Sequence, residues 1–322
     1  MNIEQVTHHE TARGISGTVH IPVLFAETMA ALGLKEGGAV IDGTCGGGGH
    51  SAGILARIGP SGRLLAIDWN EHAVRGCSAA YDLDRRVTCA MGNFGDIKEI
   101  ARLAGFPPAD ALLLDLGISS DELMHSGRGF SFQEDEPLMM TYNDAQEPVA
   151  DLLRDIEEDD LTKIIRAYGE ERYAGRIARA IKERGRAKPV ETTGELAAIV
   201  ERAVPRPRGG YSRIHPATRT FMALRIFANE ELENVKQIIK AIPGIMAPGG
   251  RVAMISFHSL EDRIVKHSFR ELAKEKGAEV LTKKPIVANE EEVRANPRSR
   301  SAKLRAIVMG PSPLSVANHW RK

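Results

Sequence analysis

The chain has 322 residues, three cysteines, 43% hydrophobic and 27% charged residues, and a formal net charge of zero. That length suits one large domain with an insertion, or two domains. The composition is that of an ordinary globular protein, no apolar run is long enough to span a membrane, and charge neutrality argues against a generic polyanion binder.

The first eighteen residues carry Glu4, Glu10 and Arg13 and no apolar core. They read as a loose leader rather than a signal peptide, and the expected location is cytoplasmic. Cys45, Cys77 and Cys89 form no CxxC, which implies a reducing compartment and no metal site. Cys77 and Cys89 read as small core residues.

From residue 38 the chain alternates short β-rich runs with helical patterns, as parallel sheets built from βαβ units do. "GAVID" (38–42) predicts a strand running into the glycine loop "GTCGGGGHS", and "SAGILARIG" (51–59) a short helix. "GRLLAID" (62–68) predicts a second strand, followed by a helix from Asn70. "RVTCAMGNF" (86–94) and "ADALLLDLG" (109–117) supply a third and a fourth, the last apolar enough to be buried on both faces.

Between about Pro148 and Val204 every periodic segment is helical. "PRPRGGYSRIHP" (205–216) reads as the return linker, with helices from Ala217 and Glu230 after it. The sheet resumes at "GGRVAMISFHS" (249–259) and ends with "AEVLT" (278–282) and "LRAIVMG" (304–310). The segments 202–213 and 294–305 are basic, while 157–160 and 289–292 are acidic. Each such run is by default a solvated loop, although two basic loops can form one patch.

The glycine loop formally fits a dinucleotide pattern through Gly47, Gly49 and Ala52, which alone is weak. Asp42, at the end of the preceding strand, decides against a pyrophosphate. A carboxylate there repels phosphate and favours a cation. S-adenosylmethionine, a sulfonium with an ammonium group and no phosphate, suits such a loop, and glycines allow close backbone approach. Asp68, ending the second strand, lies where a ribose would. Either acid alone could be a helix cap.

Several segments together are specific: "HIPVLFAE" (20–27), "DGTCGGGGHS" (42–51), "DLGISSDEL" (115–123), "GRGFSF" (127–132), "HPATRTFMALRI" (215–226), "ISFHSLEDRIVK" (255–266) and "NPRSRSAKLR" (296–305). In this order, over nearly the whole chain, they resemble the ribosomal small-subunit RNA methyltransferase H family. The resemblance implies an α/β, Rossmann-like methyltransferase fold with a mostly parallel seven-stranded sheet. Its methyltransferase domain would span 19–140 and 215–322, with a helical substrate-recognition insertion over 141–214.

It also implies an S-adenosylmethionine-dependent enzyme that methylates the exocyclic N4 amine of one cytidine in the decoding region of 16S RNA, with the small ribosomal subunit as partner. Carried over by position, the cofactor contacts fall on Gly48, Gly49, His50, Asp68, Phe94, Asp115 and Glu122. Glu122 replaces the family's usual glutamine. "PLMMTYN" (137–143) also departs from the family, with Met139, Thr141 and Asn143 where an Asp, an Arg and an Asp are usual.

Cytosine N4 is a poor nucleophile, and an acceptor for one of its hydrogens belongs beyond a strand's carboxyl end. Asp115, Ser119, Ser120 and His258 are the candidates, and the sequence leaves the choice open. His258 is equally readable as a structural histidine. Arg219 and Arg225 read as ion-paired helix residues or as phosphate contacts. C5 methylation would need a cysteine nucleophile, and none is suitably placed. The competing class is a non-catalytic RNA-binding assembly factor. A nicotinamide dehydrogenase is opposed by Asp42.

Overall fold

A computed structural model describes residues 22–118, 126–205 and 215–310. Seven strands form one sheet: β1 (Ala39–Asp42), β2 (Arg63–Asp68), β3 (Val87–Met91), β4 (Ala109–Asp115), β5 (Met246–Ser256), β6 (Glu279–Val280) and β7 (Lys303–Val308). Their order is β3-β2-β1-β4-β5-β7-β6. β1 to β5 pair in parallel, and β7 runs antiparallel between β5 and β6. The order turns back between β1 and β4, the place where open α/β sheets hold ligands beyond their carboxyl ends.

The strands read as apolar runs because both faces are covered. Val40, Leu64, Ala66, Ala111 and Leu113 point to one core, which includes Met29, Leu32, Ile54 and Ile58 from the helices Phe25–Leu32 and Gly49–Ile58. Ile41, Leu65, Ile67, Leu112 and Leu114 point to the other, with Ile97, Val235, Ile242, Val265 and Phe269. The alternation along each strand is the two-residue period of a pleated backbone.

The chain divides into two compact units, 1–117 with 235–322, and 118–234. The second holds the helical run that begins near Pro148 together with segments on either side of it. Phe130, Leu138 and Met140 before that stretch, and Phe221 and Leu224 after it, share a core with Leu161, Ile165, Ile177, Ile181, Leu196 and Val200. The helices Val149–Asp155, Glu158–Gly169, Ala174–Ala187, Thr193–Ala203 and Thr218–Ala228 supply most of that core.

Two sequence expectations are corrected. Cys77 and Cys89 are not separate thiols: they form a disulfide, with Cα atoms 6.1 Å apart. The helix Glu71–Ala80 folds back along β3, which brings residues twelve apart within bonding reach. The strand expected over 278–282 is only two residues long.

Candidate functional site

The site is built at the carboxyl ends of β1, β2 and β4. β1 stops at Asp42, and the loop that follows is fastened to its neighbours by backbone bonds. Gly43 N donates to Leu113 O at 2.9 Å and Cys45 N to Ile67 O at 2.9 Å. Gly48 then takes φ 78°, the left-handed region that glycine enters without a Cβ clash, and opens the helix Gly49–Ile58. A Cβ on Gly49 would lie 2.4 Å from Pro22 Cγ, so the helix start leaves no room for a side chain there.

Asp42 is fully buried. Its Oδ1 accepts from Thr44 N at 3.3 Å and its Oδ2 from Ser51 Oγ at 2.7 Å. Burial raises its carboxyl to about 6, against the hydrogen bonds from Ser51 and Thr44. Both oxygens therefore bond to the loop. Asp68, half-buried, accepts from Gly46 N at 2.8 Å and from Asn70 N at 2.8 Å, which ties the end of β2 to the loop. Asn70 caps the next helix through His72 N, so that cap does not require Asp68.

His50 and Asp115 meet across the loop. His50 is buried in the first helical turn, with Nε2 3.2 Å from Val23 O and Nδ1 3.7 Å from Asp115 Oδ2. Asp115 ends β4 with a fifth of its side chain exposed. Its backbone N donates to Thr44 Oγ1 at 2.7 Å, and its Oδ1 is buried with no hydrogen-bond partner in the described structure. Burial raises its carboxyl to about 7; the nearby Asp42 and Glu261 carboxylates push the same way, and Arg298 opposes them. A basic carboxylate with an unused oxygen at the sheet's switch point is equipped to take a proton.

Phe94 lies half-buried in the turn Phe94–Asp96, capped by Asn93, and packs against the core beside β3. Ser119, Ser120 and Glu122 lie outside the described residues.

His258 takes the structural role. It caps the helix Ser259–Lys276, its Nδ1 accepting from Glu261 N at 3.4 Å. The Glu261 carboxylate accepts in return from Phe257 N at 2.8 Å and lies 3.2 Å from His258 Nε2. With Nδ1 accepting, a neutral ring carries its hydrogen on Nε2 and has no lone pair left for an amine proton.

Both helix arginines are ion-paired. Arg225 makes two bonds to Glu231, at 2.7 and 2.9 Å, and Arg219 lies 3.7 Å from Glu171. In the divergent loop, Thr141 is buried and Asn143 accepts from Ala145 N within its own turn. Asn229 pins the same loop through Met140 O and Tyr142 N. Cys45 is buried, and burial with Asp68 and Asp42 holds its thiol well above the ordinary range, so it offers no thiolate for C5 chemistry.

Sequence reasoning missed Thr44, Ser51, the Val23 carbonyl and Arg298 as parts of the site. Thr44 and Ser51 stand inside the quoted glycine motif, where hydroxyls flanking a strand-end acid were the available signal. The other two stand inside the quoted segments 20–27 and 296–305, but only the fold brings those segments to the glycine loop.

The residues fit a compact cation-bearing nucleoside. Three carboxylates surround the loop, no lysine or arginine occurs between 43 and 51, and glycines leave the backbone open.

Comparison with known proteins agrees. The MraW methylase family matches residues 17–309. Ribosomal RNA small subunit methyltransferase H of Symbiobacterium thermophilum is 44% identical over 313 residues, covering 90% of this chain and 96% of that protein. Its namesakes from Trichlorobacter lovleyi and Syntrophus aciditrophicus are 46% and 44% identical, covering 89% of this chain and 97% and 96% of theirs. Among solved structures, an rRNA methylase from Streptococcus thermophilus aligns with a TM-score of 0.41 at 11% identity, over 88% of this chain and 93% of that one. The chain, a methyltransferase-type sheet with three acids around a glycine loop, belongs to the MraW methylase family.

Proposed function

We propose that the protein transfers a methyl group from S-adenosylmethionine to the exocyclic N4 amine of a cytidine in the decoding region of 16S RNA, with the small ribosomal subunit as substrate. The observation that carries this reading is Asp115: a carboxyl raised to about 7, with Oδ1 unused, at the end of β4. An amine whose lone pair is delocalised into a ring gains from an acceptor that holds one hydrogen while the nitrogen becomes tetrahedral. The bound cofactor supplies an electrophilic sulfonium methyl group.

The protein's own residues do the rest. Gly48 lets the backbone close on the ligand, Gly49 lets Pro22 pack on the helix start beside it, Asp68 holds the loop and faces the ribose, and Phe94 offers a ring to the adenine. Asp42 acts from below through Thr44, Ser51 and its field. Asp115 takes the amine hydrogen. Because positioning supplies much of the rate, the loop's rigidity belongs to the mechanism. Accordingly, Gly48→Val, which forces a β-branched residue into the left-handed region, should cost about 1–2 kcal/mol locally. Calorimetric titration should then show S-adenosylmethionine binding about tenfold or more weaker.

The RNA side draws on the unit 118–234. Arg176 and Arg186 are exposed on the helix Ala174–Ala187, and their guanidinium groups make no ion pair among the described residues. The double change Arg176→Ala with Arg186→Ala should raise KM for subunits several-fold and lower the salt slope by about 1 for each lost phosphate contact. An unchanged slope would place the RNA elsewhere. The basic stretch 206–214 lies outside the described residues.

The decisive experiment adds labelled S-adenosylmethionine and the protein to small subunits lacking the modification, followed by nucleoside mass spectrometry of the 16S RNA. Label in N4-methylcytidine at one position is the expected result. Label in another nucleoside would overturn the site assignment. Cofactor binding without any transfer would favour the assembly-factor reading.

A further inference from the structure

The group on one edge of the His50 ring settles what the other edge can do. Val23 O lies 3.2 Å from Nε2, and a carbonyl only accepts, so Nε2 carries hydrogen. In the neutral ring Nδ1 then presents its lone pair, and 3.7 Å away it faces Asp115 Oδ2. Stacking of the ring on Phe25 (centroids 6.1 Å apart, planes 19° from parallel) and its place in the first helical turn hold this orientation. On the carboxylate side, Thr44 Oγ1 fixes the Asp115 backbone. A lone pair facing an ionised carboxylate in a buried site is repelled by it, and protonation of the carboxyl removes the repulsion.

We propose that His50 and Asp115 form an electrostatically coupled pair, in which the Nδ1 lone pair of His50, facing Asp115 Oδ2, favours the protonated carboxyl and so sets how readily Asp115 accepts a proton. His50 is thereby a positioning residue for the acceptor, beyond its expected place in the cofactor loop. The proposal rests on the reading that Asp115 takes the amine hydrogen, and it adds what controls that step.

The charged groups around Asp115 come from four elements. Asp42 on β1 and Glu261 on the helix Ser259–Lys276 raise its carboxyl, Arg298 in the turn Pro297–Ser301 lowers it, and His50 faces it from the helix Gly49–Ile58. The pair titrates as a unit. Its acceptor form has released the carboxyl proton, leaving a carboxylate and a neutral ring. During turnover the amine N–H bond breaks, its electrons stay on nitrogen, and an O–H bond forms on Asp115. The proton rests on the Asp115 carboxyl, the state the pair holds at lower pH, and leaves to solvent before the next cycle.

The test reads the ligand-free protein, so it does not depend on the RNA substrate. Carboxyl-labelled aspartate is followed by NMR through a pH titration in the wild type and in His50→Gln, whose amide can present an N–H donor where histidine presents a lone pair. The Asp115 titration should move toward acid by about one pH unit, and the acid limb of the kcat profile should move with it. In the wild type, the 15N ring shifts of His50 should report the tautomer with hydrogen on Nε2, and this reading stands even if the variant does not fold. An unmoved or alkaline-shifted Asp115 titration, or a His50 ring with hydrogen on Nδ1 through neutral pH, would overturn the proposal. If the NMR shift appears while subunits receive no N4 methyl group, the pair stands and the substrate reading fails.

Discussion

Asp115→Asn is expected to lose methyl transfer by about 10²–10⁴-fold, the usual contribution of a positioned acid or base, while remaining folded. The variant keeps the shape of the side chain and removes its ability to take a proton. Its stability should move the opposite way from its activity. The wild-type carboxyl is raised from an ordinary 3.8 to about 7 in the folded protein. Between those values the folded state holds a proton that the unfolded chain has released. Stability therefore falls as pH rises from about 4 to about 7, and the full penalty is present above 7. Asparagine has no such penalty, so above pH 7 the variant should be more stable than the wild type by about 1–3 kcal/mol, and equal to it below pH 4. Urea unfolding at pH 4, 6 and 8, together with single-turnover rates, checks both halves. An active Asp115→Asn would transfer the acceptor role to the 119–125 segment, and a variant no more stable at pH 8 would mean that the carboxyl is not raised.

Arg225→Ala should lower stability by about 3 kcal/mol and leave RNA affinity untouched in the folded fraction. The guanidinium is one-fifth exposed and makes two bonds to Glu231, which is one-tenth exposed and also accepts from Tyr142 Oη at 3.2 Å. Removing the arginine strands a buried carboxylate, and the cost is that of an uncompensated charge more than of a lost attraction. Thermal unfolding with a parallel KM measurement on subunits separates the alternatives. A normal Tm with a raised KM would make Arg225 a phosphate contact after all. The adjacent Asn229, fully buried and bonded to Met140 O, shows why this corner of the unit tolerates little change.

The departures at Met139, Thr141 and Asn143 take a different meaning in the structure. Thr141 is buried, Asn143 closes a local turn, and the Met139 backbone takes the Val149 N–H at 2.9 Å. In this chain the loop is anchored by packing and backbone bonds, and those contacts do not require the family's charged residues.

The sequence by itself determined the elements and the chemical kind of the site. Strand ends at Asp42, Asp68 and Asp115, the loop between 43 and 48, and the helical runs from 149 to 203 follow from periodicity and from local backbone preference, which neighbouring residues set. The phosphate-free, cation-favouring character of the loop followed from the acid beside it.

Tertiary structure decided everything that depends on partners distant in the chain. It set the strand order that brings β4 beside β1, and the meeting of His50 with Asp115. It joined Cys77 to Cys89, and it committed Arg225 to Glu231 and His258 to a helix cap. It also extended the second unit to 118–234, because Phe130 and Phe221 contribute to its core from outside the helical run. Composition and spacing carry no record of such pairs: a titratable side chain's role is set by what burial and packing place within a few ångströms of it, and periodicity reports only which face it occupies.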